Sequence, residues 1–140
     1  LNKPVFPTES TKAKFIYHPI PNLDELKDNE FHLLSVRSEG QFNTVVYEEK
    51  DLYRNQDRRD VVLMNKDDMF QMGFSENDSV SVKSKTGVMN HILVRPFDIK
   101  KGAVLMYYPE VNSLISQNVD PLSRTPGFKS TIVIIQASQS

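Results

Sequence analysis

The chain has 140 residues, 17 Lys+Arg against 18 Asp+Glu for a formal net charge of −1, 39% hydrophobic residues, and no cysteine or tryptophan. That length suits one domain with one core, and the composition is that of a globular chain rather than a disordered one. The near-zero charge argues against a nucleic-acid or anionic-membrane binder, the missing cysteines remove disulfides, thiolate nucleophiles and cysteine-held metal sites from these residues, and no apolar run reaches the roughly 18–20 residues of a membrane helix.

A cysteine-free chain is compatible with a reducing cytoplasm, which is the expected location. The chain opens on Leu1 rather than Met, and its start lacks the apolar stretch of a signal peptide. It is expected to be a piece of a longer protein.

Residues 1–12 read as an extended arm, with Pro4 and Pro7 opposing helix. Residues 13–18 form an expected first strand, stopped by Pro19 and Pro21, and residues 22–29 a polar, acidic loop or short turn of helix. Residues 31–37 are the next strand, their apolar run suggesting burial on both faces. A long polar stretch follows from Ser38 to Asp60, broken by the patch Thr44-Val45-Val46-Tyr47. Loops of that length in a compact domain are either functional or disordered. Residues 61–64 are a short buried strand. Asn65 is suited to cap a helix over 66–72, with Asp67 and Asp68 at its positive end and Gly73 as its stop.

The remainder reads as a meander. Strand 79–84 alternates with Val80 and Val82 on one face, and Gly87 supplies an unusual backbone angle in the turn. Strand 88–94 returns with Ile92 and Val94 on one face. A turn at 99–102 leads to strand 103–108, then a short helix over 112–117, a Pro-containing loop at 120–127, and a last strand over 129–136 with 132–135 fully buried. Short strands separated by long excursions point to a closed, mainly β barrel with one or two short helices, and no internal repeat is visible in the residues.

Little of this carries self-sufficient catalysis. His18, His32 and His91 share no metal-ligand spacing, and neither a G-x-S-x-G elbow nor a glycine-rich phosphate loop is present. The cluster Asp57-Arg58-Arg59-Asp60 reads most simply as a solvated loop whose charges pair with one another. The segment from Ser38 to Thr44 is rich in small hydrogen-bonding groups, with Gly40 permitting close backbone approach. Asn112 offers both donor and acceptor to a heterocycle edge, and Lys129 offers charge beside the aromatic Phe128.

Several motifs in order give this pattern a family. Asn65-Lys66-Asp67-Asp68-Met69, then Met72-Gly73, then Asn77-Asp78-Ser79-Val80-Ser81-Val82 with Ser84 and Gly87, resembles the carboxyl-terminal molybdopterin-dinucleotide-binding domain of the large molybdenum/tungsten oxidoreductases. Those enzymes include formate dehydrogenases, periplasmic nitrate reductases and dimethylsulfoxide reductases. Here Lys66 stands for the usual Pro, Met69 for Ala and Asn77 for Gly, and Asn tolerates the positive φ that this Gly position implies. Phe6 to Phe15, Val94-Arg95-Pro96 to Gly102, Glu110 to Leu114, and Asp120-Pro121 through Thr125-Pro126-Gly127-Phe128-Lys129 extend the likeness over nearly the whole chain. The stretch from Leu34 to Thr44, with Tyr47, Tyr53-Arg54 and Gln56 to Asn65, is similar to the formate-dehydrogenase-like alpha-subunit branch.

The resemblance implies a double-psi β-barrel over residues 13–140, packed against the remaining domains of a large catalytic subunit. Together they would bury a bis(molybdopterin guanine dinucleotide) cofactor with molybdenum or tungsten. The metal's protein ligand and any iron–sulfur cysteines would lie in those other domains, a redox partner subunit is a further candidate partner, and neither nucleic acid nor membrane is expected. The resemblance also implies that Arg37, Ser38, Gln41, Asn43 and Thr44 bond phosphate and pterin groups, that Asn112 meets the pterin edge, and that Phe128 and Lys129 close over it. No carboxylate here suits the guanine edge, which is expected to be read from elsewhere in the subunit. The alternative is a free-standing double-psi barrel acting as an interaction or substrate-recognition module, since fold does not fix function.

Overall fold

The computed structural model describes residues 3–20, 25–42, 44–45 and 47–138. Six strands, β1 (Glu30–Val36), β2 (Val61–Met64), β3 (Ser79–Lys83), β4 (Val88–Pro96), β5 (Ala103–Tyr107) and β6 (Thr131–Ala137), close into a barrel in the order β1-β5-β2-β4-β3-β6. The pairs β1/β5 and β2/β4 are parallel and the other four antiparallel.

This ring has a symmetry that the residues do not advertise. Exchanging each strand with the one three places along the chain returns the same set of neighbours. The helix α1 (Lys66–Met72) after β2 then corresponds to the 3-10 helix Glu110–Leu114 after β5. The molecule is a mainly β, double-psi barrel with one α-helix, as expected.

Alternation explains most of the core. Phe31, Leu33, Val62, Met64, Val80, Val82, Val94, Val104, Met106, Val133 and Ile135 fill the interior. Two expectations need correction here. β1 and β6 are not buried on both faces: Phe31, Leu33 and Ser35 are buried while His32, Leu34 and Val36 between them are only half-buried, and Ile132 and Ile134 are half-buried likewise. A closed barrel has one packed interior, so a strand's outer face is covered only where something lies on it. That happens at β2, where Val61 and Leu63 join Tyr107 in a second cluster on the outside.

The expected strand over 13–18 is absent. Phe15, Ile16 and Tyr17 are exposed, and the segment pairs with nothing. The reason is topological: a closed six-strand ring offers no free edge for another strand to join.

The helix ends follow local chemistry. Asn65 accepts from the Asp67 N–H at 2.8 Å, and its amide donates to the Ile99 carbonyl at 2.6 Å, so one side chain caps α1 and tethers the β4–β5 turn. Gly73 takes the left-handed conformation at φ 71° and Asn77 does the same at φ 71°. Replacing Asn65 by Ala is expected to cost about 1 kcal/mol in urea unfolding, the usual worth of such a cap. Unchanged stability would mean the cap bond is not formed in solution.

Gly87 is needed for a different reason from the one expected. It does not adopt positive φ, but a Cβ there would lie 2.4 Å from the Ser113 carbonyl oxygen. The β3–β4 hairpin tip is thereby pressed against the 3-10 helix. Within that hairpin, β4 carries an extra residue opposite β3, with His91 at φ 58°, so this histidine marks a β-bulge.

Candidate functional site

The parallel pairing of β1 and β5 brings their carboxyl ends to one rim of the barrel. Since β6 runs antiparallel to β1, the segment before β6 reaches the same rim, where the Ser35 N–H donates to the Phe128 carbonyl at 3.0 Å. The contact between Gly87 and Ser113 adds the hairpin tip. Residues 37–60, 108–114 and 126–130 therefore share one end of the molecule. Of the eight residues singled out from sequence, seven stand on these loops; Asn43 lies outside the described residues.

Their states differ. Arg37 is exposed, with its guanidinium carbon 5.3 Å from the Tyr108 ring centre. Thr44 and Asn112 are exposed, and Asn112 makes no side-chain hydrogen bond among the described residues. Lys129 donates to the Ser35 carbonyl. Burial, followed by the positive charge of Arg54, holds its ammonium below the ordinary lysine value. Neither Arg37 nor Lys129 has a carboxylate partner within ion-pair range among the described residues, so both remain able to meet an anion.

Ser38, Gln41 and Phe128 are committed to the fold. Ser38 donates to the Glu48 carbonyl at 2.8 Å and Gln41 to the Tyr108 carbonyl at 2.9 Å, and both are buried. Phe128 packs against the main core.

The residue that organises this rim, Arg59, was expected to be a solvated loop charge. It is only 6% exposed. Its guanidinium donates to Glu110 Oε1 at 2.7 Å and Oε2 at 3.0 Å, to the Ser38 hydroxyl, to the Glu48 and Tyr108 carbonyls, and to Gln41 Oε1 at 3.4 Å. Its guanidinium carbon stands over two rings, 4.7 Å from the Tyr47 centre and 5.1 Å from that of Tyr107. A period-two count carries the missed signal: Arg59, Val61 and Leu63 fall on one face, the outer face that Tyr107 covers. The neighbouring Arg58 does pair with Asp60 at the surface, as expected of that cluster.

A second network was equally unforeseen. Asp51, 1% exposed, accepts from the Tyr107 hydroxyl at 2.8 Å, from the Tyr53 N–H at 3.1 Å and from Arg54, whose guanidinium also donates to the Arg37 carbonyl at 3.1 Å. Burial works to raise the Asp51 carboxyl, but the bonds from Arg54 and Tyr107 outweigh it and hold the group below its ordinary value. Burial and the Asp51 carboxylate push the Tyr107 phenol up. Described residues of the long polar stretch are thus tied to the outside of β2 and β5 by two arginine–carboxylate networks, each with one buried partner.

Chemically, the rim offers exposed cations, an exposed amide and a bonded loop, with no nucleophile–base pair among its described residues. Among the described residues no cluster of His, Asp or Glu is arranged to hold a metal, and no helix is long and apolar enough to cross a membrane. A shallow groove beside Lys129, lined by Asn118, Asp120, Thr125 and Phe128, borders the rim. Another hollow, beside Glu30, Asp68 and Gly102, lies at the opposite end of the barrel.

Comparison with known proteins is consistent with such a binding end. Residues 31–132 match the family model described as Molydopterin dinucleotide binding domain. Protein YdeP of Escherichia coli O6:H1 is 28% identical over 142 residues, covering 94% of this chain and 19% of that protein. An uncharacterized oxidoreductase of Mycobacterium bovis, Mb2924c, is 29% identical over 142 residues, covering 94% of this chain and 18% of its own length. The chain therefore spans less than a fifth of these curated relatives. Acetylene hydratase from Pelobacter acetylenicus superposes with a TM-score of 0.58 at 14% identity, over 77% of this chain and 18% of that one, a likeness of fold.

Proposed function

The chain belongs to the molydopterin dinucleotide-binding domain family, and from that premise we propose that its β1/β5 rim holds part of a bis(molybdopterin guanine dinucleotide) in a larger molybdenum or tungsten oxidoreductase of the formate-dehydrogenase-like branch. The observation that carries this reading is the convergence of Arg37, Thr44, Asn112 and Lys129 on one rim, two of them cations without carboxylate partners among the described residues. An anionic dinucleotide needs such cations for its phosphates and amide edges for its heterocycles. The residues present fit that group. When bound, it supplies the metal-centred redox chemistry; the protein contributes binding and orientation.

In this reading Arg37 and Lys129 meet phosphate or pterin oxygens and Asn112 meets the pterin edge. The same loops expose Phe42, Leu52 and Tyr53. Apolar side chains on a ligand-bearing face are what the other domains of the same polypeptide would cover. We place the enzyme in the cytoplasm, in keeping with a cysteine-free domain.

The test is to purify the full-length gene product and measure molybdenum, tungsten and pterin per polypeptide. Stoichiometric metal and pterin are expected, and protein lacking both would sink the reading. Replacing Arg37 or Lys129 by Ala in that protein is expected to lower cofactor retention on the order of tenfold each, the scale of one charge-assisted hydrogen bond. Equal retention in both variants would assign those charges to the fold alone.

A further inference from the structure

We infer that Arg59 is the positioning residue of the cofactor loop, and that Ser38 and Gln41 serve the cofactor through Arg59 rather than by touching it. The inference rests on the cofactor-binding reading above and deepens it.

The Arg59 guanidinium joins parts of the chain that are distant in sequence. Its acceptors come from three separate segments: the loop after β1 (Ser38, Gln41 and the Glu48 carbonyl), the end of β5 (the Tyr108 carbonyl) and the 3-10 helix (Glu110). A planar fork of five N–H donors, one of them shared between two acceptors, can serve all six at once, whereas an ammonium has three donors diverging from one point. The guanidinium also stands over the Tyr47 and Tyr107 rings. Tyr47 belongs to the same loop, so that ring contact forms only when the loop is in place.

The side chains of Ser38 and Gln41 are consumed by this arrangement. Ser38 donates to Glu48 and accepts from Arg59; the Gln41 carbonyl oxygen accepts from the Ser38 N–H at 3.3 Å and from Arg59. Both are buried. Their bonds fix the two limbs of the loop and leave Thr44 exposed to meet a ligand. The same guanidinium grips Glu110, two residues before Asn112 on the helix. A single buried cation therefore sets the relation between the two ligand-bearing segments before any ligand arrives. Preorganisation of this kind raises affinity without adding contacts to the ligand.

The test uses the full-length protein carrying Arg59→Ala or Arg59→Lys, with pterin and metal per polypeptide as the readout. Arg59→Ala is expected to retain roughly a tenth or less of wild-type cofactor, and Arg59→Lys, which keeps the charge without the fork, to lose retention several-fold. Millimolar guanidinium, well below denaturing levels, is expected to restore loading of Arg59→Ala, because the vacated slot is shaped for that planar ion; methylammonium is expected to fail. Hydrogen exchange at residues 38–45 should rise in the alanine variant and fall again with guanidinium.

Wild-type loading in both variants would overturn the positioning role while leaving the cofactor reading intact. Loss of cofactor with unaltered exchange in the loop would overturn it as well. A wild-type protein without pterin or metal would overturn the cofactor reading and this inference with it. If Arg59→Ala does not fold, Arg59→Lys decides: retention equal to wild type would refute the need for the fork, and several-fold loss with raised loop exchange would support it.

Discussion

Asp51→Ala is expected to destabilise the protein by about 2–4 kcal/mol at neutral pH, because it strips the acceptor from three groups at once. The Tyr107 hydroxyl, on a residue 1% exposed, would be left buried without its partner, and Arg54 and the Tyr53 N–H would lose their bonds. The loss falls on the outer cluster where Tyr107 packs with Val61 and Leu63, so the loop over residues 51–59 should open with it. Urea unfolding with a fluorescence or far-UV signal measures the difference. A loss under about 0.5 kcal/mol, the scatter of an ordinary surface change, would refute a structural role for this network.

The same site carries a pH dependence whose sign is fixed by two shifts. The Asp51 carboxyl sits below its ordinary value of 3.8 in the folded state, so its contribution is complete above that value and is lost as pH falls through the folded one. The Tyr107 phenol is raised above its ordinary 10.0, so its contribution is complete below pH 10.0 and is lost only as pH rises toward the folded value. The stability gap between wild type and Asp51→Asn, which preserves shape, should therefore be constant across neutral pH and shrink below the ordinary carboxylate range. A gap that persists unchanged into strong acid would show that charge on Asp51 contributes nothing.

Gly87→Val is the second large effect, expected at about 2–3 kcal/mol, the upper part of the range for forcing atoms into a closed space. A Cβ at this position would stand 2.4 Å from the Ser113 carbonyl oxygen, a backbone atom with no rotamer to give. Either the hairpin tip or the 3-10 helix must move. For a chain of this length the melting temperature should fall by about 6–9 °C. Thr86→Ala in the same turn is the control: its side chain is exposed and its change should stay within about 0.5 kcal/mol. Matching melts for Gly87→Val and wild type would show that the hairpin does not press on the helix in solution. Since Asn112 stands beside Ser113, the variant should also weaken cofactor retention in the full-length protein.

These two sites divide what residues alone reveal from what they do not. The cap at Asn65, the stop at Gly73, the positive φ at Asn77 and the inward faces of β3 and β4 follow from rules spanning a few residues. They were readable because a hydrogen bond two residues away, or a period of two, depends on nothing distant. The ordered motifs likewise carried the family and the barrel, since each motif is a local turn or helix start and their order repeats the topology.

Tertiary structure alone decided the rest. Burial on one face or two in β1 and β6 depended on which strands had an outer covering, and the unpaired state of residues 13–18 depended on closure of the ring. Gly87 needs space from Ser113, 26 residues away. Arg59, written among Asp57, Arg58 and Asp60, looked self-neutralised; its true partners, Ser38, Glu48, Tyr108 and Glu110, are 11 to 51 residues distant. Charges adjacent in sequence announce themselves, whereas a buried cation is defined by acceptors that only the closed barrel brings together. The sequence by itself determined the kind of domain, because its motifs are local; the fold decided which rim residues are buried and bonded and which stay exposed, because only the closed barrel brings Arg59 to its acceptors.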